Sequence, residues 1–284
     1  MKKIIKLSAI FFSICIFLGL FIEYRKRSLL LMPTEYKLVH KLVNRLSINN
    51  DLGDRPITIK IIAGNTMRYV LDDIDLCESK NCSYFVYLDP FKKYIGFRKD
   101  EVNEAIKQSY LRGYINGSAT ANGNISIDIS SFKALEDKES FMAALLAHEL
   151  AHVIRFDPYE SSLKVLKKKD SKSNKMTDKE VKELFKSLSK EDETFADLAA
   201  SLMLFNVDYP KDTYIEAVDY VYKEYGEVHI EYTTHPNLLK RKKMIKAFMN
   251  DKSFYREKLD NPAAPLVWRY NREQNWLKFY PSKK

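Results

Sequence analysis

One stretch of the chain combines residue types and spacing that could do chemistry. His148-Glu149-Leu150-Ala151-His152 has the pattern H-E-x-x-H. On a helix, residues i and i+4 lie one turn apart on the same face. Both imidazoles can then reach a single Zn2+ at roughly 2.0–2.1 Å. Glu149 follows the first His directly, so it can point at a water beside the ion, accept its proton and pass it to a leaving amine. The surroundings suit a buried helix: Phe141, Leu145 and Leu146 precede the motif at helical spacing, and small Ala143, Ala144 and Ala147 permit close packing. The pattern also arises by chance, and two His on a helix can be plain surface residues.

A catalytic zinc needs a third protein ligand and an open fourth position. Only His40, His229 and His235 remain, and Arg155 and Pro158 stand where a metzincin needs Gly and His. The third ligand is therefore expected to be a carboxylate on a later helix. Glu193-Thr-Phe-Ala-Asp197 offers one, with Glu193 and Asp197 again at i and i+4. Glu193 can complete the zinc sphere, and Asp197 can hydrogen-bond the outer nitrogen of a ligating His and fix its tautomer. The alternative for Glu193 is a solvated helix face, as its neighbours Glu191 and Asp192 illustrate.

These two motifs, followed by Thr234-His235-Pro236 and Arg241, resemble the HtpX and CAAX-prenyl-endopeptidase family of gluzincin metallopeptidases. That family carries H-E-x-x-H, E-x-x-A-D and a later T-H-P followed by Arg. The likeness covers roughly residues 100–250 and includes a turn, strand and helix from Gly123 to His152. It implies His148, His152 and Glu193 as ligands of one Zn2+ per chain, with Glu149 as general base. It also implies His235 at the site, stabilising the oxyanion, with Asp197 and Arg241 in support. By the same likeness Ile125, Ser126, Ile127 and Asp128 belong to an edge strand on which an extended polypeptide substrate lies. Members of the HtpX and CAAX types carry several membrane spans. This chain has one N-terminal candidate, so it resembles single-anchor or soluble members, and prenyl-peptide cleavage is not supported.

That candidate is Leu7 to Ile22, sixteen uncharged residues between Lys2, Lys3, Lys6 and Glu23, Arg25, Lys26, Arg27. As a helix it spans ~24 Å, against a hydrocarbon core of ~30 Å. Flanking Lys6 and Glu23 can snorkel. No A-x-A-like cleavage site follows, and Ile14 before Cys15 argues against a lipoprotein signal. The run reads as an uncleaved signal anchor over residues 1–27, ahead of one catalytic domain over 28–284. Positive charges nearly balance across it, so they do not set its orientation. Cys77 and Cys82 bracket a polar loop and suggest a disulfide, hence an extracytoplasmic domain; two unrelated thiols are the alternative. No second Cys or His pair accompanies them, which argues against a zinc site there.

The elements that must position these residues follow from periodicity. Thr34 reads as the N-cap of a helix to Leu46, with Leu38, Val39, Leu42, Val43 and Leu46 on one face. Pro56–Ala63 and Tyr84–Leu88 read as strands. Asp100 reads as the cap of a helix over 101–114. Asn124 to Ser130 alternates strictly, as in a half-buried strand at a sheet edge. Helices are expected over 139–155, from a capping box at Thr177-Asp-Lys-Glu180, over 190–205, from Lys211, and after Pro236 to Met249. Lys164–Lys179 reads as charged loop inserted over the cleft. The tail carries Trp268 and Trp276 among basic residues, either on a membrane surface or in ordinary packing.

The expected architecture is α+β: a mainly helical, zincin-like metallopeptidase domain with a small β-sheet, preceded by one N-terminal membrane helix. A hydrophobic content of 45% supports a packed core rather than disorder. The net charge of +9 identifies no partner by itself. Without a nucleic-acid-binding motif, polypeptide substrates and membrane lipid are the expected partners and nucleic acid is not. The rival readings are a membrane-tethered zinc-binding, chaperone-like protein with little turnover, and a basic module in which the His pair is incidental.

Overall fold

The computed structural model describes residues 13–20, 29–78, 81–112, 114–120, 122–155, 164, 177–225, 236–251 and 266–281. Its elements run α1 (Thr34–Ser47), β1 (Ile57–Ile62), α2 (Thr66–Asp73), α3 (Ser83–Val86), α4 (Lys99–Leu111), β2 (Gly117–Ala119), β3 (Asn124–Asp128), α5 (Ile129–Ala134), α6 (Glu139–Arg155), α7 (Asp178–Asn206), α8 (Thr213–Tyr225), α9 (Leu238–Met249), β4 (Val267–Asn271) and β5 (Trp276–Tyr280). The strands form one 5-stranded sheet in the order β2-β3-β1-β5-β4. Among the described residues only β1 and β3 pair in parallel, with Ile59 opposite Ile125 and Ile61 opposite Ile127. These isoleucines are fully buried, which pins the register, because a one-residue slip would turn the whole set outward.

Helix α6 is apolar on nearly every side and is buried from Met142 to Val153 apart from Leu145. A helix of that kind belongs in a core rather than at a surface. It packs against α7, α8, α1 and strands β2 and β3. The sheet and helices α1, α6, α7, α8 and α9 share the main core. A smaller cluster of Ala63, Met67, Val70, Leu71, Cys82, Val102, Ala105 and Ile106 holds α2, α3 and α4 together, and Cys77 is disulfide-bonded to Cys82 beside it. The Trp residues of the tail lie in the β4–β5 hairpin, where β5 pairs with β1. Trp268 sits edge-on to His40 of α1 at 4.7 Å, so it serves ordinary packing.

Several sequence expectations are corrected. Tyr84–Leu88 is no strand: Ser83–Val86 is a short helix, Val86 is buried, and Phe85 and Leu88 pack against the smaller cluster. A short apolar run does not distinguish the two by periodicity. Thr34 lies inside α1, with Pro33 before it, and its hydroxyl meets Glu35 instead of capping. Helix α4 starts at Lys99 after Arg98 in the left-handed region and ends at Leu111. The Thr177 capping box forms as expected, but it opens one 29-residue helix rather than two separate ones. Strand β3 stops at Asp128 because its carboxylate accepts the Asn65 N–H at 2.8 Å and the chain then turns into α5.

No helix among the described residues is long and apolar enough to cross a membrane. Both ends of the Leu7–Ile22 run, and most of Lys164–Lys179, lie outside the described residues.

Candidate metal centre

Helix α6 presents His148 and His152 on one face, and α7 crosses it with Glu193. His148 Nε2 is 3.1 Å from Glu193 Oε2 and 3.2 Å from His152 Nε2, and His152 Nε2 is 3.6 Å from Glu193 Oε2. All three ligand atoms lie within 4.8 Å of one another. A tetrahedral sphere with bonds of ~2.0–2.1 Å has edges of roughly 3.3–3.4 Å. The three separations bracket that edge, so the atoms can form one face of such a tetrahedron. The residues fit a metal of zinc's size and ligand preference.

The outer nitrogen of His148 shows why its inner one is free to ligate. Tyr214 Oη, from α8, is 2.8 Å from His148 Nδ1 and 2.7 Å from Asp197 Oδ1. An ionised carboxylate only accepts. The single Tyr214 proton therefore goes to Asp197, and the Nδ1–H of His148 donates to the Tyr214 oxygen. In the neutral imidazole that leaves the Nε2 lone pair facing Glu193 and His152. Asp197 Oδ1 itself is 3.4 Å from Nδ1. On its other side Asp197 takes a two-pronged grip from Arg241 of α9, with Nε donating to Oδ2 at 2.8 Å and Nη2 to Oδ1 at 2.7 Å. Asp197 and Arg241 are both buried.

The electrostatics follow from this arrangement. Burial would raise the Asp197 pKa, but the Arg241 guanidinium and the neighbouring His148 imidazole hold it well below the usual carboxylate range. Burial also works against a charged His148, yet the Asp197 and Glu193 carboxylates outweigh it and lift its pKa to about 9. Glu149 is buried and its pKa is raised by that burial, with the two His residues pulling partly the other way. A carboxyl shifted upward is better matched to taking and returning a proton near neutral pH.

The edge-strand expectation is corrected here. Strand β3 pairs with β1 on one side and β2 on the other, Ser126 standing between Lys60 and Ser118. Ile125 and Ile127 are core residues, and Asp128 is buried. Alternation reveals a half-buried strand but not its neighbours. The sheet edge beside α6 is β2. A Cβ on Gly117 would stand 2.9 Å from Glu149 Oε1, so the glycine lets the edge backbone close on that carboxylate. Sequence reasoning offered no strand here, because Gly, Ser and Ala carry no apolar alternation. It also missed Tyr214, one of several tyrosines in α8 with nothing in its spacing to set it apart. His235 lies outside the described residues.

A family model described as Peptidase family M48 matches residues 91–248. The chain belongs to Peptidase family M48. The match spans more than half of the chain and contains every residue of the His148, Glu149, His152, Glu193, Asp197, Tyr214 and Arg241 constellation. M48 membership makes the chain a metallopeptidase with polypeptide substrates. Helix α1, strand β1 and the β4–β5 hairpin lie outside the matched region. No curated protein matches the chain.

Proposed function

We propose that this M48 peptidase is a zinc-dependent endopeptidase that cleaves extended or unfolded polypeptides at a membrane. The observation that carries the reading is the triangle of His148 Nε2, His152 Nε2 and Glu193 Oε2, with Glu149 buried next to the first of them. A bound Zn2+ would act as a Lewis acid and lower the pKa of a neighbouring water. Glu149 takes the proton of the attacking water and returns it to the amine that leaves the cleaved bond. His148, His152 and Glu193 hold the ion, and the Tyr214–Asp197–Arg241 chain holds His148 in the tautomer that ligates. The role of His235, donating to the oxyanion, rests on the family resemblance alone. A main-chain substrate segment has donors and acceptors to pair with at the β2 edge, next to Glu149.

Membrane attachment through the Leu7–Ile22 run and an extracytoplasmic catalytic domain complete the proposal. The Cys77–Cys82 disulfide favours an oxidising compartment. Substrates in that setting would be unfolded or mislocalised membrane and envelope proteins.

The test compares the full chain with its Glu149→Gln variant on an unfolded protein, at matched bound zinc. Wild type is expected to generate internal fragments, and the variant to bind zinc and cut at least a hundredfold more slowly, within the roughly 10²–10⁴-fold worth of a general base. Equal cleavage by both would remove Glu149 from the mechanism. A wild-type chain that binds no zinc would end the metal assignment.

A further inference from the structure

The segment leading from α3 into α4 carries two large apolar side chains that the peptidase site does not use. Ile95 is 77% exposed and Phe97 is 95% exposed. Single exposed apolar residues are ordinary; two at the apex of one fixed turn are less so. This turn is fixed. Asn103 of α4 grips Tyr94 from both sides, its Oδ1 accepting the Tyr94 N–H at 3.0 Å and its Nδ2 donating to the Tyr94 carbonyl at 2.8 Å. The Lys99 N–H donates to the Gly96 carbonyl at 2.9 Å. Gly96 at φ +124° and Arg98 at φ +58° turn the chain sharply on either side of Phe97. Arg98 ties the far side down, donating to Glu101 at 2.9 Å and to the Asp75 carbonyl at 3.4 Å.

The flanks are basic and aromatic. Lys92, Lys93 and Lys99 are exposed. Two nearby carboxylates are engaged, Asp89 with Arg272 and Glu101 with Arg98; Asp100 stands in the first turn of α4, where the peptide dipoles offset its charge, and Asp75 is exposed. Tyr84 and Tyr87 of the adjoining α3 segment are also exposed. The turn is rooted near the start of the domain, since Phe91 packs on Tyr36 in the first turn of α1 at 5.7 Å. Just before α1, Leu30 and Leu31 are exposed as well.

We propose that the 94–99 turn is a membrane-docking tip, with Ile95 and Phe97 entering an anionic lipid surface and Lys92, Lys93 and Lys99 meeting its headgroups. The shape selects lipid over polypeptide. A side chain that is 95% exposed touches almost nothing of its own protein and forms no wall of a groove, whereas a bilayer surrounds it from all sides. Aromatic rings with polar ends beside lysines suit the interfacial layer, where the ring is apolar and the end is wet. Anionic headgroups attract the lysines and add to the apolar term. The inference rests on the membrane setting proposed above, and it adds a second contact that would fix how the domain stands on the bilayer.

The test uses the full chain in the Glu149→Gln background with Phe97→Trp as reporter, its emission taken as the difference from the same chain with Phe97. Vesicles are phosphatidylcholine alone or with phosphatidylserine, and flotation reads attachment separately. The expected result is a blue-shifted emission, quenched by acyl-chain-brominated lipid, that is stronger with phosphatidylserine and weakened by Lys92→Glu with Lys93→Glu. Flotation without a shift keeps the N-terminal anchor and overturns the tip. No flotation and no shift overturns both. A shift produced by an unfolded protein and not by vesicles assigns the turn to substrate capture and overturns the lipid proposal.

Discussion

Tyr214 stands between the carboxylate and the imidazole of a hydrogen-bonded chain that runs Arg241, Asp197, Tyr214, His148. A carboxylate bound directly to Nδ1 would push electron density onto the imidazole, whereas a neutral hydroxyl sets the tautomer and transmits less charge. Partners of this kind typically account for 10–100-fold in metal affinity. Tyr214→Phe keeps the ring and removes the hydroxyl, so zinc affinity, read by competition with a chromophoric chelator, is expected to fall by roughly that factor. Unchanged affinity would mean that Asp197, at 3.4 Å from Nδ1, closes on the imidazole by itself.

At the scale of elements, the decisive contact is between a three-residue strand and the centre of a helix. Strand β2 can lie against α6 because Gly117 has no side chain; a Cβ there would be 2.9 Å from Glu149 Oε1 and 3.2 Å from its Cδ. Gly117→Val is expected to displace the carboxylate and lower kcat by roughly 10–100-fold, as sub-ångström to ångström misplacement of a catalytic group does. The bound zinc content should stay the same, because the ligands sit on α6 and α7. An unchanged kcat would show that β2 does not position Glu149. Long, periodic elements were legible in the sequence: α6 runs over the expected Glu139–Arg155, and α9 ends at Met249 as expected. The nearness of His148 and His152 was legible too, because fixed spacing on a helix is itself geometry; that Glu193 of α7 meets them is a tertiary contact that spacing alone does not give. Other features depend on tertiary partners. Helix α7 looked like two pieces because its first half, residues 178–190, is dominated by charge and carries few apolar residues to mark a buried face. Strand β3 looked like an edge because nothing in Gly-Ser-Ala announces the neighbour that covers it. Tyr36 gave no sign that its hydroxyl would accept the Ile61 N–H at 3.0 Å, where Asn275 also reaches the Ile61 carbonyl at 2.6 Å beyond the last β1–β5 pair.

Across the whole molecule, Asp128 couples the two apolar clusters. It ends β3 in the main core, and its carboxylate accepts the Asn65 N–H at the entry to α2, under Gly64, which belongs to the smaller unit. Burial is the main reason its pKa rises from 3.8 to about 6, with the bonds from Asn65 and Asn116 pulling partly back. The folded protein therefore keeps a proton that the unfolded chain loses between about pH 4 and pH 6. The unfolded state binds fewer protons in that window, so this group's contribution to stability falls as pH rises through it and levels off above pH 6. A shift of that size corresponds to about 3 kcal/mol. Asp128→Asn keeps an oxygen to accept the Asn65 N–H and cannot ionise. Relative to wild type, the variant is expected to gain up to about 3 kcal/mol between pH 4 and pH 7 in urea unfolding at fixed zinc. Comparing the two chains at each pH cancels the titration of the metal ligands, which they share. A difference between wild type and variant that does not change with pH would mean that Asp128 is ionised at no cost, and that the junction between the two clusters is held by Gly64 and the strand end rather than by a protonated carboxyl.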